Sequence, residues 1–169
     1  MAKISVDKVR RSFLGKILLG SGALALAGKA SAAEADNQSS DDELKFPGED
    51  ASHKVVYQFN KADEDYHKAV LFSVGAMLRK YGDDIQIVVT CIGPGIHILG
   101  KNPKRPVSEE TKQRVSSLAL YGVEFHACGN TMKALKWTQK DMLDFVDIVE
   151  VGAADLMELQ EQGYSYLSW

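Results

Sequence analysis

The stretch Val123-Glu124-Phe125-His126-Ala127-Cys128-Gly129-Asn130-Thr131-Met132 decides the fold. Residues 123–127 read as a strand that leads straight into residues 128–136, a strand-to-helix junction with no loop between. Upstream, Ser108 with Glu109 and Glu110 starts a helix that Gly122 stops. Before it lie a strand over residues 85–90 and a loop from Gly93 through Pro106. Residues 54–60, rich in β-branched and aromatic side chains, form a first strand. Asp63, Glu64 and Asp65 then supply the acidic first turn of a helix with the apolar stripe Val70, Leu71, Val74, Met77 and Leu78, ended by Gly82. Downstream, Thr138 with Asp141 starts a short helical turn in the manner of a capping box. Residues 145–151 read as a fourth strand, 152–162 as a helix and 164–169 as a last short strand. Strands separated by helix-length segments imply parallel βαβ units under right-handed crossovers, hence a small three-layer α/β sandwich.

In such sheets chemistry collects at the carboxyl ends of the strands. Two segments sit there, residues 91–97 and residues 128–132, and each begins with a cysteine. A thiolate is the sulfur nucleophile, and a helix start favours it. At Cys128 the N–H groups of Gly129, Asn130 and Thr131 would be free to face the sulfur. Gly129 would let the backbone approach, and Asn130 or Thr131 could donate a side-chain hydrogen bond. The plain alternative is a buried, inert cysteine under the sheet edge. Cys91 reads either as a small core residue ending its strand or as a resolving thiol that pairs with Cys128. Gly93-Pro94-Gly95 makes a tight turn, with or without an anion cradled by the N–H groups of Gly93 and Gly95.

His126 shares a strand face with Cys128 and is either a proton donor to it or a hydrogen-bonded sheet histidine. His97 could converge on the same edge, whereas His53 and His67 look like surface residues. A metal site from Cys91, His97, His126 and Cys128 lacks any local ligand spacing, and none is expected. No Walker loop, Gly-x-Gly-x-x-Gly, Gly-x-Ser-x-Gly or His-Glu-x-x-His is present, and no cofactor is expected. Tyr57, Phe59, Trp137, Tyr164, Tyr166 and Trp169 suit the core or a subunit contact, and the aromatic C-terminus suits an oligomer interface.

The 169 residues are 45% hydrophobic and 25% charged, which excludes wholesale disorder, and two cysteines exclude a disulfide scaffold. Residues 1–32 read apart from the fold. Lys3, Lys8, Arg10 and Arg11 precede a soft apolar run over residues 17–27, too short to span a bilayer, and Ala30-Ser31-Ala32 is a small-x-small cleavage signal. Arg10-Arg11-Ser12-Phe13-Leu14 resembles the twin-arginine export signal, although Val9 and Gly15 depart from its usual pattern. Export to a bacterial periplasm is expected, with general secretion as the alternative route. Of the 20 bases and 23 acids, six bases and one acid fall in this segment, leaving 14 bases against 22 acids beyond it. That acidic balance disfavours nucleic acid and anionic membranes as partners. Residues 33–52, acidic and Ser-rich with Pro47-Gly48, read as a flexible leader, and residues 53–169 as the α/β domain.

Gly93-Pro94-Gly95-Ile96 after one strand and Cys128-Gly129-Asn130-Thr131-Met132 after the next resemble the DsrE/DsrF-like family, most nearly its exported single-domain branch. The likeness runs from about residue 53 to the end and includes the closing residues 158–164. It implies an α/β/α sandwich on a mainly parallel five-stranded sheet, assembled into a homo-oligomer, a trimer or hexamer. Cytoplasmic members, including the TusD-type subunits, carry sulfur as a persulfide on a cysteine after the third strand. Cys128 holds that position here, so the resemblance implies a sulfurtransferase or sulfur carrier whose partners are a sulfur donor or acceptor protein or a small thiol. Two other readings stand beside it: a non-catalytic oligomeric module that binds a small anion or a partner, and a thiol redox protein using Cys91 with Cys128.

Overall fold

Residues 51–169 are described by the computed structural model; the expected export segment over residues 1–32, and residues 33–50 of the expected leader, lie outside the described residues. Strands and helices alternate as β1 (His53–Phe59), α1 (Glu64–Tyr81), β2 (Ile85–Cys91), α2 (Glu109–Leu120), β3 (Glu124–Cys128), α3 (Gly129–Leu135), β4 (Asp147–Val149), α4 (Gly152–Glu161) and β5 (Ser165–Leu167). The five strands form one parallel sheet in the order β4-β3-β2-β1-β5.

That order dictates the layers. β1 to β4 are laid down stepwise in one direction, so right-handed crossovers put α1, α2 and α3 on one face. The chain then returns across the sheet to β5, and the reversed direction carries α4 over the opposite face. On the first face Tyr57, Phe59, Ile87, Val89, Phe125 and Ala127 meet Val70, Leu71 and Val74 of α1 and Val115 of α2 in the main core. On the second face Val56 and Val88 pack against Leu156 and Leu159 of α4 in a much smaller cluster. Alternation along the strands leaves the rest of that face to Gln58, Thr90, Glu124, His126 and Cys128.

Local signals account for the element ends. The Asp63 carboxylate accepts from Tyr66 N–H at 2.9 Å and Ser108 Oγ from Thr111 N–H at 3.2 Å, caps worth about 1 kcal/mol each. Thr138 donates both its N–H and its hydroxyl to Asp141, which holds the short 3-10 turn Gln139–Asp141.

Three expectations need correction. Residues 93–99, expected as loop, form a buried 3-10 helix, Gly93–Leu99. Pro94 presets its first turn, and Ile96, Ile98 and Leu99 enter the main core. The fourth and fifth strands are three residues each, shorter than expected, since Val146 N–H turns back to Leu143 and Trp169 stacks on Tyr57 instead of pairing. His67, expected on the surface, is only 1% exposed. It stacks on Phe59 with Nε2 against the Lys61 carbonyl, and burial lowers its pKa.

Candidate functional site

Cys128 ends β3 and caps the start of α3, at the carboxyl edge of the sheet. Register decides which way it points. Cys91 pairs with Ala127, so these two share the main-core face, and Cys128, one residue on, points to the opposite face beneath α4. There its Sγ accepts the Gly152 N–H at 3.3 Å. Gly152 begins α4, and a Cβ on it would sit 3.0 Å from Cys128 Cβ and 3.4 Å from Sγ. Only the absence of a side chain lets the helix start ride directly on the sulfur.

Cys128 is 4% exposed. Burial pushes its pKa up, but the N–H of Gly152, the hydroxyl and N–H of Thr131 and the N–H of Asn130 outweigh that, and the thiol lies below its ordinary value. Thr131 is itself oriented from β2, because its Oγ1 accepts the Gly93 N–H at 3.0 Å. With that lone pair occupied, its proton is available to the sulfur. The two segments singled out in the sequence therefore meet through Thr131.

The Gly-Pro-Gly turn does not form the anion cradle considered above. Gly93 N–H is held by Thr131 and Gly95 N–H by the Ile92 carbonyl. Gly95 lies against β1 so closely that a Cβ would fall 2.2 Å from the Phe59 carbonyl oxygen. Gly129 is similarly tight, with Val149 and Glu150 carbonyls 3.0 and 3.2 Å from where a Cβ would stand. Asn130 N–H donates to the Glu150 carbonyl at 3.2 Å, which ties the Cys128 turn to the segment between β4 and α4.

Cys91 is not placed to resolve Cys128. It is fully buried in the main core on the other side of the sheet, both cysteines are free, and burial raises its thiol pKa well above the ordinary value. His97 does not converge on the sulfur either. It accepts the Lys104 N–H at 3.2 Å, meets the Trp137 ring edge-on, and has a pKa lowered by burial and by Arg105 and Lys104. The Cys/His metal set considered from the sequence is thus not assembled.

His126 takes part in a network that sequence reasoning missed. Thr90, His126 and Asp147 lie side by side across β2, β3 and β4. From α4, Asp155 reaches down to this row: its carboxylate receives the Thr90 hydroxyl at 2.7 Å and His126 Nδ1 at 2.9 and 3.0 Å. His126 Nε2 lies 3.8 Å from Glu124. Burial alone would lower the imidazole pKa, but the carboxylates of Asp155 and Glu124 raise it to about 9, so the ring is an imidazolium at neutral pH. Asp155 is held below the ordinary carboxylate value: burial raises it, and the bonds from His126 and Thr90 more than compensate. Both ring nitrogens face carboxylates rather than Cys128. Among the described residues Glu124, His126 and Asp147 bring donor atoms within 4.8 Å of one another.

A signal for this network existed in the sequence. Thr90 and His126 are polar residues inside strands of a sheet covered on both faces, and Asp155 follows Gly152 by three in a helix.

The model of the DsrE/DsrF-like family matches residues 53–169. Among solved structures, the protein of unknown function MTH1491 from Methanobacterium thermoautotrophicum is similar, with 25% identity and a TM-score of 0.62 over 69% of this chain and 99% of that one. The ychN protein from E. coli shares the fold, at 14% identity and a TM-score of 0.55, again over 69% and 99% of the two chains. No curated protein matches the chain.

Proposed function

We propose that this chain, which belongs to the DsrE/DsrF-like family, is a sulfur-handling protein of the periplasm that carries sulfane sulfur on Cys128. The observation that carries the reading is the Gly152 N–H donated to the Cys128 sulfur at 3.3 Å, with Thr131 beside it, at the carboxyl edge of the sheet. These donors favour the thiolate, the form that attacks sulfur. The export-type start of the sequence supports the location.

The chemistry needs no cofactor and no net redox change. The Cys128 thiolate attacks the outer sulfur of a persulfide or polysulfide donor. A bond forms from Sγ to that sulfur, the donor's sulfur–sulfur bond breaks, and the electron pair leaves with the donor as a thiolate. An acceptor thiolate then attacks the outer sulfur of the Cys128 persulfide and releases the Cys128 thiolate. The N–H groups that steady the thiolate also steady it as leaving group in the second step.

Incubation of the purified protein with polysulfide, followed by intact mass measurement, tests the proposal. A gain of one sulfur atom in the wild type, absent in Cys128→Ser, is expected. No gain, or an equal gain in Cys128→Ser, would turn the reading toward a non-catalytic binding module.

A further inference from the structure

We propose that Asp155 is a positioning residue for Cys128, holding the first turn of α4 against the sheet so that the Gly152 N–H stays on the sulfur. The inference rests on the reading of Cys128 as a functional thiolate, and it adds the device that maintains that state.

Apart from Asp155, α4 is lightly secured on the sheet. Its apolar contacts with the sheet are Leu156 and Leu159 on Val56 and Val88, in its second and third turns. The first turn has a lighter apolar contact, the half-buried Ile92 beside Gly152, and Val151 before it is exposed. The Asn130 N–H holds Glu150 just before the helix, and within the first turn the carboxylate of Asp155 is bonded to Thr90 of β2 and His126 of β3. Asp155 N–H in turn donates to the Val151 carbonyl at 3.0 Å, in the same helical turn that presents Gly152 N–H. Thr90, His126 and Cys128 project from the same sheet face, so one rigid turn spans both the carboxylate clamp and the sulfur contact.

Asp155→Asn separates charge from position, because it removes the carboxylate charge and keeps an acceptor oxygen. The charged groups on the elements around Cys128 are Glu124 and His126 of β3, Lys133 of α3, Asp147 of β4, Glu150 before α4, and Asp155, Glu158 and Glu161 of α4. Removing the Asp155 charge takes a nearby anion from Cys128 and also loosens the proton on His126, a nearby cation, so the two charge effects oppose and largely cancel. Releasing the Gly152 N–H withdraws a hydrogen bond from the thiolate, which raises the thiol pKa. The proposal therefore requires a rise.

The experiment is the pH dependence of iodoacetamide alkylation at Cys128, followed on its peptide by mass spectrometry in the full chain. In Asp155→Ala the midpoint should rise by about one pH unit, a tenfold loss of thiolate below the midpoint, the scale of one hydrogen bond to a charged group. Asp155→Asn, which keeps an acceptor oxygen for Thr90 and His126, should recover most of the shift. An Asp155→Ala protein that folds and shows an unmoved or lowered midpoint overturns the proposal. Should Asp155→Ala fail to fold, Thr90→Val is read the same way: a raised midpoint supports the clamp, and an unmoved or lowered one overturns it. Alkylation needs no sulfur donor, so a wild type that takes up no sulfur refutes the sulfur-carrier reading while leaving this test intact.

Discussion

Raising the pH from 6.5 to 9 should destabilise this protein mainly through His126. Its folded pKa of about 9 lies above the ordinary 6.5 because Asp155 and Glu124 accept from the imidazolium. A raised folded pKa means that the stabilisation is complete below 6.5 and is lost as pH climbs through 9. Asp155 acts with the opposite sign: its pKa is depressed from 3.8, so its contribution stands above that value and disappears as pH falls. The network is therefore at full strength between 3.8 and 6.5. The interval from 6.5 to 9, at about 1.4 kcal/mol per unit, sets a ceiling of about 3 kcal/mol. Glu124 is half exposed and its share is screened by water, so about 2 kcal/mol is the expected loss. Urea unfolding across this pH range measures it. A Cys128→Ser background is used, because the depressed Cys128 thiol adds stability as pH rises. The same series in His126→Gln should lose most of the fall, keeping the small part that the raised Cys91 thiol adds near pH 9. A flat response with His126 present, or an equal fall in the Gln variant, would refute the reasoning.

Other expectations follow from the packing. Cys91→Ala should cost about 1 kcal/mol in urea unfolding, as a small cavity in the main core, and should leave sulfur uptake at Cys128 unchanged. Gly95→Ala forces a carbon to within 2.2 Å of the Phe59 carbonyl oxygen, so it should cost more than about 3 kcal/mol or abolish soluble expression, checked by thermal melting. Arg10→Lys combined with Arg11→Lys should leave the chain in the cytoplasmic fraction of the host cell. Equal periplasmic recovery of that variant would assign export to the general pathway.

The sheet, its parallel sense and the edge position of Cys128 were legible in the sequence because each depends on local pattern. A strand running into Gly129-Asn130-Thr131 without a loop can only put its last residue at a carboxyl edge. What escaped depends on the return crossover. Asp155 meets Thr90 and His126 because α4 travels back across the sheet, and no short-range pattern announces where such a helix lands. The separation of Cys91 from Cys128 is likewise a matter of register: one residue of offset sends them to opposite faces. His67 was a different kind of miss. It lies three and four residues before Val70 and Leu71, on the apolar stripe already identified, and its polarity concealed its burial. In residues 93–99 the glycines and proline suggested a loop, while Ile96, Ile98 and Leu99 carried the countersignal.

As a carrier, Cys128 must both accept and release sulfur. Protein loaded with polysulfide and freed of excess donor should be mixed with a small thiol while the intact mass is followed. The account expects the mass to fall back by one sulfur atom, with one equivalent of persulfide or sulfide released per Cys128. Sulfur that never loads on Cys128, or that stays there when the thiol is added, would contradict it.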